Sequence, residues 1–410
     1  MSDKKNASMI FIFFTILLDV IGVGLIIPVL PKLINGFCNG NMTAAAIYIG
    51  ILSGVYALMQ FLFAPVIGAL SDQYGRRPVL LLSMFTFGID YILLGYAPSI
   101  GWLFVGRVIA GITGASFTTA NAYIADISTP ENRAQNFGMV GAAFGMGFII
   151  GPVIGGFLSA YGTSIPFFAA AALTLINWLY GYFVLPESLK PENRRVFDWK
   201  RANPVGALLQ LQKYPQIFGI LAAVICLFLG GQVHPNTWPI YTMSRFQFTE
   251  KEVGFSLAFV GLMIGFVQGF LIRKTTPLFG VNKSIIIGLV AYIIGFFLFS
   301  VADQWWMMYA FMIPFSLGGL ATPNLQAALT GQIPATEQGE LQGALAAIQA
   351  LTAFLGALLH SNLFSYFSKP TAVVYYPGAA FLMGSILSGI SLIIYLNSRL
   401  RRELMAKDAL

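Results

Sequence analysis

Charged residues are scarce in this sequence. They make up 10% of the 410 residues, whereas 57% are hydrophobic and the mean hydropathy is +0.77. A soluble domain carries roughly 25% charged residues because its surface must be hydrated. The shortage excludes an ordinary water-soluble protein of this size. The sequence instead contains long apolar runs, which are stable in lipid. It also contains 43 glycines, which permit close contact between membrane helices.

Cysteine and histidine are also rare, with two of each. Cys38 and Cys226 lack disulfide or metal-ligand spacing, so we predict neither a disulfide nor a metal site. For His234 and His360 structural roles are favoured, although His234 could tune the activity near the outer end of the seventh predicted helix. The sequence has no phosphate-binding loop and no clustered nucleophile and base. We therefore predict no cofactor and expect neither an intramembrane enzyme nor, for want of a filter motif, a channel.

Apolar segments long enough to cross a bilayer, about 20 residues, recur along the whole chain. The first is too long for a cleavable signal peptide and is predicted to be a spanning helix. Prolines interrupt the seventh (Pro235 and Pro239) and the tenth (Pro314 and Pro323). The predicted helices lie at 8–34, 46–70, 78–98, 101–126, 136–160, 165–186, 214–241, 252–273, 283–302, 305–330, 340–366 and 373–398. The sequence thus predicts an all-α membrane protein with twelve transmembrane helices.

Lysine and arginine are distributed unevenly among the predicted loops. If both termini are inside, the inward segments hold 18 basic residues and the outward loops hold 4, with Arg107 inside a helix. Short basic loops stay in the cytoplasm, so this pattern predicts a multi-pass protein of the cell inner (plasma) membrane with both termini cytoplasmic. The net charge of +7 then reflects topology and contact with anionic lipid heads, and we expect no nucleic-acid partner.

The longest polar stretch lies near the middle of the chain. We predict an N-terminal six-helix bundle at 1–186, a cytoplasmic linker at 187–213 and a C-terminal six-helix bundle at 214–410. The two halves look related, since residues 68–77 after the second helix and residues 273–283 after the eighth are both basic and contain glycine. Two pseudo-symmetric halves with a ligand between them are a known plan for a secondary transporter.

Several stretches in the first half carry a resemblance to a known family. Residues 68–77 match the loop signature of the major facilitator superfamily, and the segments that narrow the match are 19–31, 106–114 and 141–156. They resemble the first-, fourth- and fifth-helix motifs of the twelve-helix drug/proton antiporters. Residues 56–60 and 90–94 bring the chain closest to the tetracycline/proton antiporter family. The resemblance implies the major facilitator fold, alternating access and a monomer.

The second half departs from that family. Tetracycline antiporters of the best-known type carry a histidine in the eighth helix and an acidic residue in the ninth. Aligned on Gln268 and Gly288, these positions fall on Ile264 and Tyr292 in this chain. The resemblance therefore implies the scaffold more strongly than it implies the substrate or the details of proton coupling.

Three ionisable residues lie deep in the predicted helices: Asp19, Asp90 and Arg107. Such a residue costs several kcal/mol in lipid unless it is neutralised, paired or hydrated. We predict a proton-coupling role for all three, because a carboxylate whose surroundings alternate between wet and dry changes its affinity for a proton. Asp19 could instead contact substrate or form a structural pair or cap. Asp90 could instead stabilise a helix contact, and Arg107 could reach the outer interface.

A group of polar residues at the cytoplasmic ends of neighbouring helices is predicted to form a gate. The resemblance implies a latch for the outward-open state, and the physical basis is charge pairing near a helix N-terminus. The alternative is that these charges only determine topology. The gate residues are Gly68, Asp72, Gly75, Arg76, Arg77, Asp126 and Arg133.

The fifth helix carries the glycine-proline motif typical of antiporters. Its small residues predict a close contact between the halves that limits leak, and Pro152 predicts a bend. The motif residues are Gly141, Gly145, Gly151, Pro152, Gly155 and Gly156.

Uncharged polar residues and one tryptophan are predicted to bind the substrate. Amides in membrane helices also join helices to one another, which is the alternative for each. For Trp238 a substrate-facing position and an outer-interface anchor are equally plausible. The predicted substrate-binding residues are Gln60, Asn121, Gln232, Asn236, Trp238, Gln268, Asn324, Gln326 and Gln349.

These observations favour a secondary active exporter that exchanges protons for an amphiphilic, drug-like small molecule, tetracycline-like by resemblance. The alternative is a proton-coupled symporter or an exporter of an endogenous metabolite or lipid. The expected partners are the small-molecule substrate, protons and the lipid bilayer.

Overall fold

The computed structural model describes residues 2–408 except 115, 130–132, 200–201 and 335–337, and all regular structure among them is helical. The helices of the first half are α1 (Ser2–Ile26), α2 (Leu30–Phe37), α3 (Met42–Tyr74), α4 (Arg76–Gly95), α5 (Ile100–Gly114), α6 (Ser116–Ile127), α7 (Arg133–Leu158) and α8 (Ile165–Val184). They are followed by α9 (Pro204–Gln210), α10 (Phe218–Gly231), α11 (Val233–Phe246), α12 (Glu250–Phe266), α13 (Ile272–Val301), α14 (Trp305–Leu317), α15 (Ala321–Thr330), α16 (Gln338–Phe367) and α17 (Ala379–Asp408).

Ten stretches of the described helices are long and apolar enough to cross a membrane. One of them, Glu250–Val301, has 52 residues. At ~1.5 Å per residue it is about 78 Å long, more than twice the ~30 Å apolar core of a bilayer. The backbone of Gly280 is non-helical there (φ 79°, ψ 163°), so this stretch supplies two crossings. With the broken segment formed by α14 and α15, the prediction of an all-helical fold of about twelve spanning helices is confirmed.

The two predicted helix breaks lie beside the prolines rather than at them. The seventh helix is interrupted at Gln232, between α10 and α11, and Pro239 lies inside α11. The tenth is interrupted by a 3₁₀ turn at Gly318–Leu320. Pro235 and Pro323 are each the third residue of the helix that follows, where a backbone N–H has no partner within the helix, so a proline is tolerated there.

The chain forms two compact units. Unit 1 contains Met1–Asn41, Val55–Gly206 and Phe248–Ala258, and unit 2 contains Met42–Gly54, Ala207–Gln247 and Phe259–Leu410. The first part of α3 thus packs within unit 2, and the first part of α12 packs within unit 1. The bounds of these units differ from those of the predicted bundles at 1–186 and 214–410, and the bundle boundaries stay a prediction.

Helix packing in unit 1 brings the deep charges together. Helix α1 packs along α7 and α8, while α4 packs against α8 and α5. Helices α1, α4 and α5 carry Asp19, Asp90 and Arg107, respectively. In unit 2, α13 and α17 pack against each other, and the core includes Ile217, Ile220, Ile285, Leu289 and Leu325.

Candidate functional site

Asp90 lies at the contact between α4 and α5. It is 1% exposed, and a Cβ added to Gly106 on α5 would stand 2.8 Å from its Oδ1. The missing side chain at Gly106 is therefore what allows the two helices to meet at this carboxylate. Arg107 is the next residue on α5 and interacts electrostatically with Asp90.

Tyr91 connects this contact to α1. Its side chain is 2% exposed, and its hydroxyl would lie 3.2 Å from a Cβ at Gly22, three residues after Asp19. The hydroxyl interacts electrostatically with Asp19, Asp90 and Arg107. Sequence reasoning missed this tyrosine. The signal that could have found it is its position directly after Asp90.

Most polar atoms of this cluster have no hydrogen-bond partner among the described residues. They are Asp19 Oδ1, both carboxylate oxygens of Asp90, the Tyr91 hydroxyl, and Nε and Nη2 of Arg107. A buried polar group without a partner costs about 1–3 kcal/mol. Concentrating several of them at one place favours a site that binds protons or a polar ligand during function over a structural contact.

A cavity in unit 1 opens beside Asp19. Its empty volume is about 280 Å³, and its lining residues are Asp19, Val23, Ser83, Met84, Phe87, Thr113, Gly114 and Phe117. Only about 10 Å³ of this space is open to the centre of a water molecule, so the cavity holds about one water in this structure. Ser83 and Thr113 were not predicted. Ser83 could have been found, because it precedes Asp90 by about two helical turns and so lies on the same face of α4.

Gln60 lies at the α3–α5 contact. Its Nε2 donates a hydrogen bond to the Tyr56 hydroxyl at 2.9 Å, and both groups lie within 3.0 Å of a Cβ added to Gly114. Because Gly114 lines the cavity, Gln60 is adjacent to it. Asn121 is exposed on α6, and the structure does not bring it into the Asp90 cluster.

Arg76 is the centre of the predicted gate. It is buried, forms an ion pair with Asp72, and its Nε lies 3.3 Å from Asp126 Oδ2. Its Nη1 donates to Ser71 Oγ at 2.6 Å, and Ser71 in turn donates to the carbonyl of Gly68 at 2.7 Å. The structure thus brings together the acidic residues of the second and fourth spanning segments around one guanidinium.

The other predicted gate arginines differ. Arg77 donates through Nη2 to the carbonyl of Tyr182 at 2.6 Å and lies over that ring at 5.7 Å, because the next position on a helix points about 100° away from Arg76. Arg133 begins α7, and its side chain lies outside the described residues.

Glu187 also belongs to the cluster around Arg76 and was not predicted. Its carboxylate accepts hydrogen bonds from the backbone N–H groups of Arg76 at 2.9 Å and Arg77 at 3.2 Å, at the N-terminus of α4. It also accepts from the N–H of Leu189 at 3.0 Å. Gly75 makes this possible because its φ of 103° is accessible to glycine, and a side chain there would collide with Glu187.

We expect Glu187→Ala to loosen the gate, because three backbone donors lose one charged acceptor. Hydrogen bonds to charged groups contribute about 1.5–3 kcal/mol, so amide hydrogen exchange in peptides covering 72–78 and 185–195 should accelerate at least tenfold. Glu187→Gln keeps one acceptor oxygen and should change exchange less. Glu192→Ala is the control, since that side chain is exposed and forms an ion pair with Lys190 at 3.9 Å. Equal exchange in all three variants would contradict the assignment.

The glycine motif of α7 divides into two faces. Gly147, Gly151 and Gly155, spaced by one helical turn, lie directly against α1, and Pro152 lies against Gly24. Gly141 and Gly145 have no described atom within 4 Å of an added Cβ, and the close contact predicted for them stays a prediction. Gly147 was missed, although the four-residue spacing could have found it.

Helix α7 also contacts the start of α12. A Cβ at Gly156 would stand 2.6 Å from the carbonyl of Glu250, and Gly254 packs against the carbonyl of Pro152. Glu250 forms an ion pair with Lys32 beyond the end of α1. The close contact of the fifth predicted helix is therefore made with the first and eighth predicted helices.

The polar residues predicted in the second half have mixed surroundings. Asn324 is buried, donates to the Leu320 carbonyl at 2.8 Å and accepts from Thr276 at 3.2 Å, which fits the role of joining helices. Asn236 is buried and donates to the Gln232 carbonyl at 2.9 Å. Gln326 is half-buried, whereas Gln268, within a π-helical turn at Val267–Leu271, and Gln349 are exposed. π-Helical turns often occur at functional sites, which singles out Gln268.

Trp238 is 0% exposed. It stacks on His234 at 4.8 Å and packs edge-on against Phe299 at 5.1 Å. His234 also stacks on Phe315 at 5.4 Å, and Tyr292 packs against the same ring at 5.3 Å. In this structure, therefore, Trp238 is exposed neither to a substrate path nor at the outer interface. Tyr292 belongs to the same aromatic core.

The fold and this site define a membrane transporter. No group of three potential metal ligands occurs among the described residues, and the bundled spanning helices with a buried charge cluster have the features of a secondary carrier. A profile of the Major Facilitator Superfamily matches residues 12–281, and the chain belongs to that family. The predicted family is confirmed, and the protein is a transporter rather than an enzyme.

The relatives with known names include tetracycline resistance proteins. The chain is 40% identical over 362 residues to the class C protein of Escherichia coli, covering 88% of this chain and 91% of that one. It is 34% identical to the class H protein of Pasteurella multocida, covering 95% of each. Among solved structures, the human organic anion transporter MFSD10 (TETRAN) matches with a TM-score of 0.71 at 22% identity, over 95% of this chain and 99% of that one. The last match shows the shared fold.

Proposed function

We propose that this protein exports an amphiphilic, tetracycline-like molecule in exchange for protons. The observation that carries the proposal is the cluster of Asp19, Asp90, Tyr91 and Arg107, most of whose polar atoms have no hydrogen-bond partner among the described residues, beside the cavity at Asp19. The similarity to tetracycline resistance proteins supports the class of substrate.

Asp19 and Asp90 bind the proton in this proposal, and Arg107 supplies the opposite charge. An ionised carboxylate in a membrane interior is stable only when it is paired or hydrated. Arg107 acts on Asp90, and Tyr91 lies between that carboxylate and α1, so protonation at one carboxylate changes the electrostatic field at the other. Substrate and proton then compete for the site as it faces each side of the membrane in turn.

The cluster around Arg76 forms the cytoplasmic gate in this proposal. The protein then lies in the inner membrane with both termini in the cytoplasm, as the distribution of basic residues predicts, and acts as a monomer, as the family resemblance implies. Gln60 beside the cavity, and the exposed Gln268 and Gln349 in unit 2, are the amides that contact an amphiphilic substrate in this proposal.

The test is proton release from everted membrane vesicles on addition of tetracycline, monitored with a pH-sensitive dye. Wild type should release protons, and Asp19→Asn should abolish the release and the drug resistance of an efflux-deficient host. Asp303→Asn is the matched control, since Asp303 is an exposed aspartate between α13 and α14. If the Asp19→Asn variant kept transport against a gradient intact, the role of Asp19 would be wrong. Proton movement of the opposite sign would show symport.

A further inference from the structure

The polar connection between α8 and α10 exposes apolar side chains outside the spanning helices. Val196 is 87% exposed, Trp199 is 73% exposed and Val205 is 49% exposed. Arg194 and Arg195, directly before them, are exposed as well. We call these five residues the linker patch. Single exposed apolar residues are common. An exposed tryptophan and valine beside paired arginines, however, are the combination typical of segments that lie at a membrane interface.

The chain on either side fixes this patch close to the membrane. The preceding spanning helix ends at Val184 and the next span begins at Pro215. Tyr123 donates to the carbonyl of Pro186 at 2.9 Å, and the N–H of Arg195 donates to the carbonyl of Asp72 at 3.0 Å. The linker is therefore held against the ends of membrane helices in unit 1, at the level where lipid headgroups lie.

The net charge of the segment favours anionic lipids over neutral ones. Residues 190–201 contain five basic and two acidic side chains, a net charge of +3. Tryptophan prefers the boundary between headgroups and acyl chains, and arginine extends its charge to phosphate while its stem stays in apolar surroundings. The ring of Phe197 packs edge-on against Trp199 at 4.9 Å, which adds a second aromatic ring beside the patch.

We propose that the linker patch binds the headgroups of anionic phospholipids in the adjacent leaflet of the bilayer. Trp199 and Val196 insert at the headgroup boundary, and Arg194 and Arg195 contact the phosphates. Each basic side chain near an anionic surface contributes about 1 kcal/mol, so removing both arginines should weaken the association roughly 30-fold. This site is separate from the Asp90 cluster and does not depend on what is transported.

The experiment uses the full chain in lipid nanodiscs. A polarity-sensitive fluorophore is attached at Val196→Cys in a background with Cys38→Ser and Cys226→Ser. The matched control is Val373→Cys, because Val373 is 90% exposed in a loop whose basic residue is Lys369 alone. Nanodiscs contain phosphatidylcholine alone or phosphatidylcholine with phosphatidylglycerol, each with and without brominated acyl chains as quencher. Size-exclusion chromatography verifies that each labelled protein is folded.

The emission of the label at position 196 should shift to shorter wavelength only when phosphatidylglycerol is present. The brominated chains should quench this emission only in the same nanodiscs. Salt at about 1 M, where the Debye length is about 3 Å, should reverse the shift. Arg194→Gln with Arg195→Gln should remove it, and the label at 373 should stay unchanged. Equal emission of the label at 196 in both lipids would overturn the proposal, and so would equal quenching in both, which would show insertion without recognition of charge.

Discussion

Arg107→Gln should abolish proton-coupled transport. Arg107 is the positive charge that acts on Asp90, whose carboxylate is 1% exposed and has no hydrogen-bond partner among the described residues. A lone charge at the centre of a membrane costs about 2.5–3.5 kcal/mol on insertion scales. Without Arg107 an ionised Asp90 loses its opposite charge, so the step of the cycle in which the proton leaves this carboxylate becomes less favourable by about this amount. Since about 1.36 kcal/mol is tenfold in rate, the initial rate should fall roughly 70- to 400-fold.

The same transport assay in everted vesicles measures this loss, with the amount of membrane protein determined by immunoblot. Arg107→Lys keeps the charge and should retain part of the activity, although lysine lacks the planar fork of arginine. Asp90→Asn combined with Arg107→Gln removes both charges and the proton-binding carboxylate, so it should not restore coupling. Tetracycline-driven proton release by the Arg107→Gln variant at the wild-type rate would refute the role of Arg107.

The deep charges could be predicted because they stand out from their surroundings. An aspartate in an apolar run of 20 residues is expensive wherever its helix faces, so Asp19 and Asp90 are noticed without a structure. Tyr91 and Ser83 could not be chosen in this way, since tyrosine and serine are ordinary in membrane helices. Their importance depends on the rotation of α4 against α1 and α5, which apolar length does not specify.

In the gate as well, a contact between residues close in the sequence could be predicted, whereas a distant partner could not. Asp72 and Arg76 are four residues apart on either side of the turn between α3 and α4, so a pair of opposite charges there could be predicted from their closeness in the sequence. Glu187 lies 111 residues after Arg76, and it contacts backbone N–H groups rather than a side chain. Nothing in the residue pattern at position 187 identifies such a partner. The helices themselves were predictable from apolar length, but the break near Gln232 depends on local backbone geometry.

Gly155→Ala should remove most of the folded protein from the membrane. The added Cβ would collide with the Leu25 carbonyl group of α1, whose Cα would be 2.8 Å away. Both partners are helix backbone and cannot turn aside as a flexible side chain would. Overpacking costs typically about 1–3 kcal/mol and more when the backbone must move, a large part of the roughly 5–15 kcal/mol that stabilises a folded protein.

Gly145→Ala is the matched control, on the same helix and within the same motif. Its added Cβ meets no described atom within 4 Å. Alanine favours a helix over glycine by about 0.8–1.0 kcal/mol, so this variant should be as stable as wild type or more stable. The midpoint temperature of thermal unfolding, followed by fluorescence-detected size-exclusion chromatography, should therefore fall for Gly155→Ala and stay unchanged or rise for Gly145→Ala. Equal shifts would mean that α7 does not rest on α1 through the face that carries Gly147, Gly151 and Gly155.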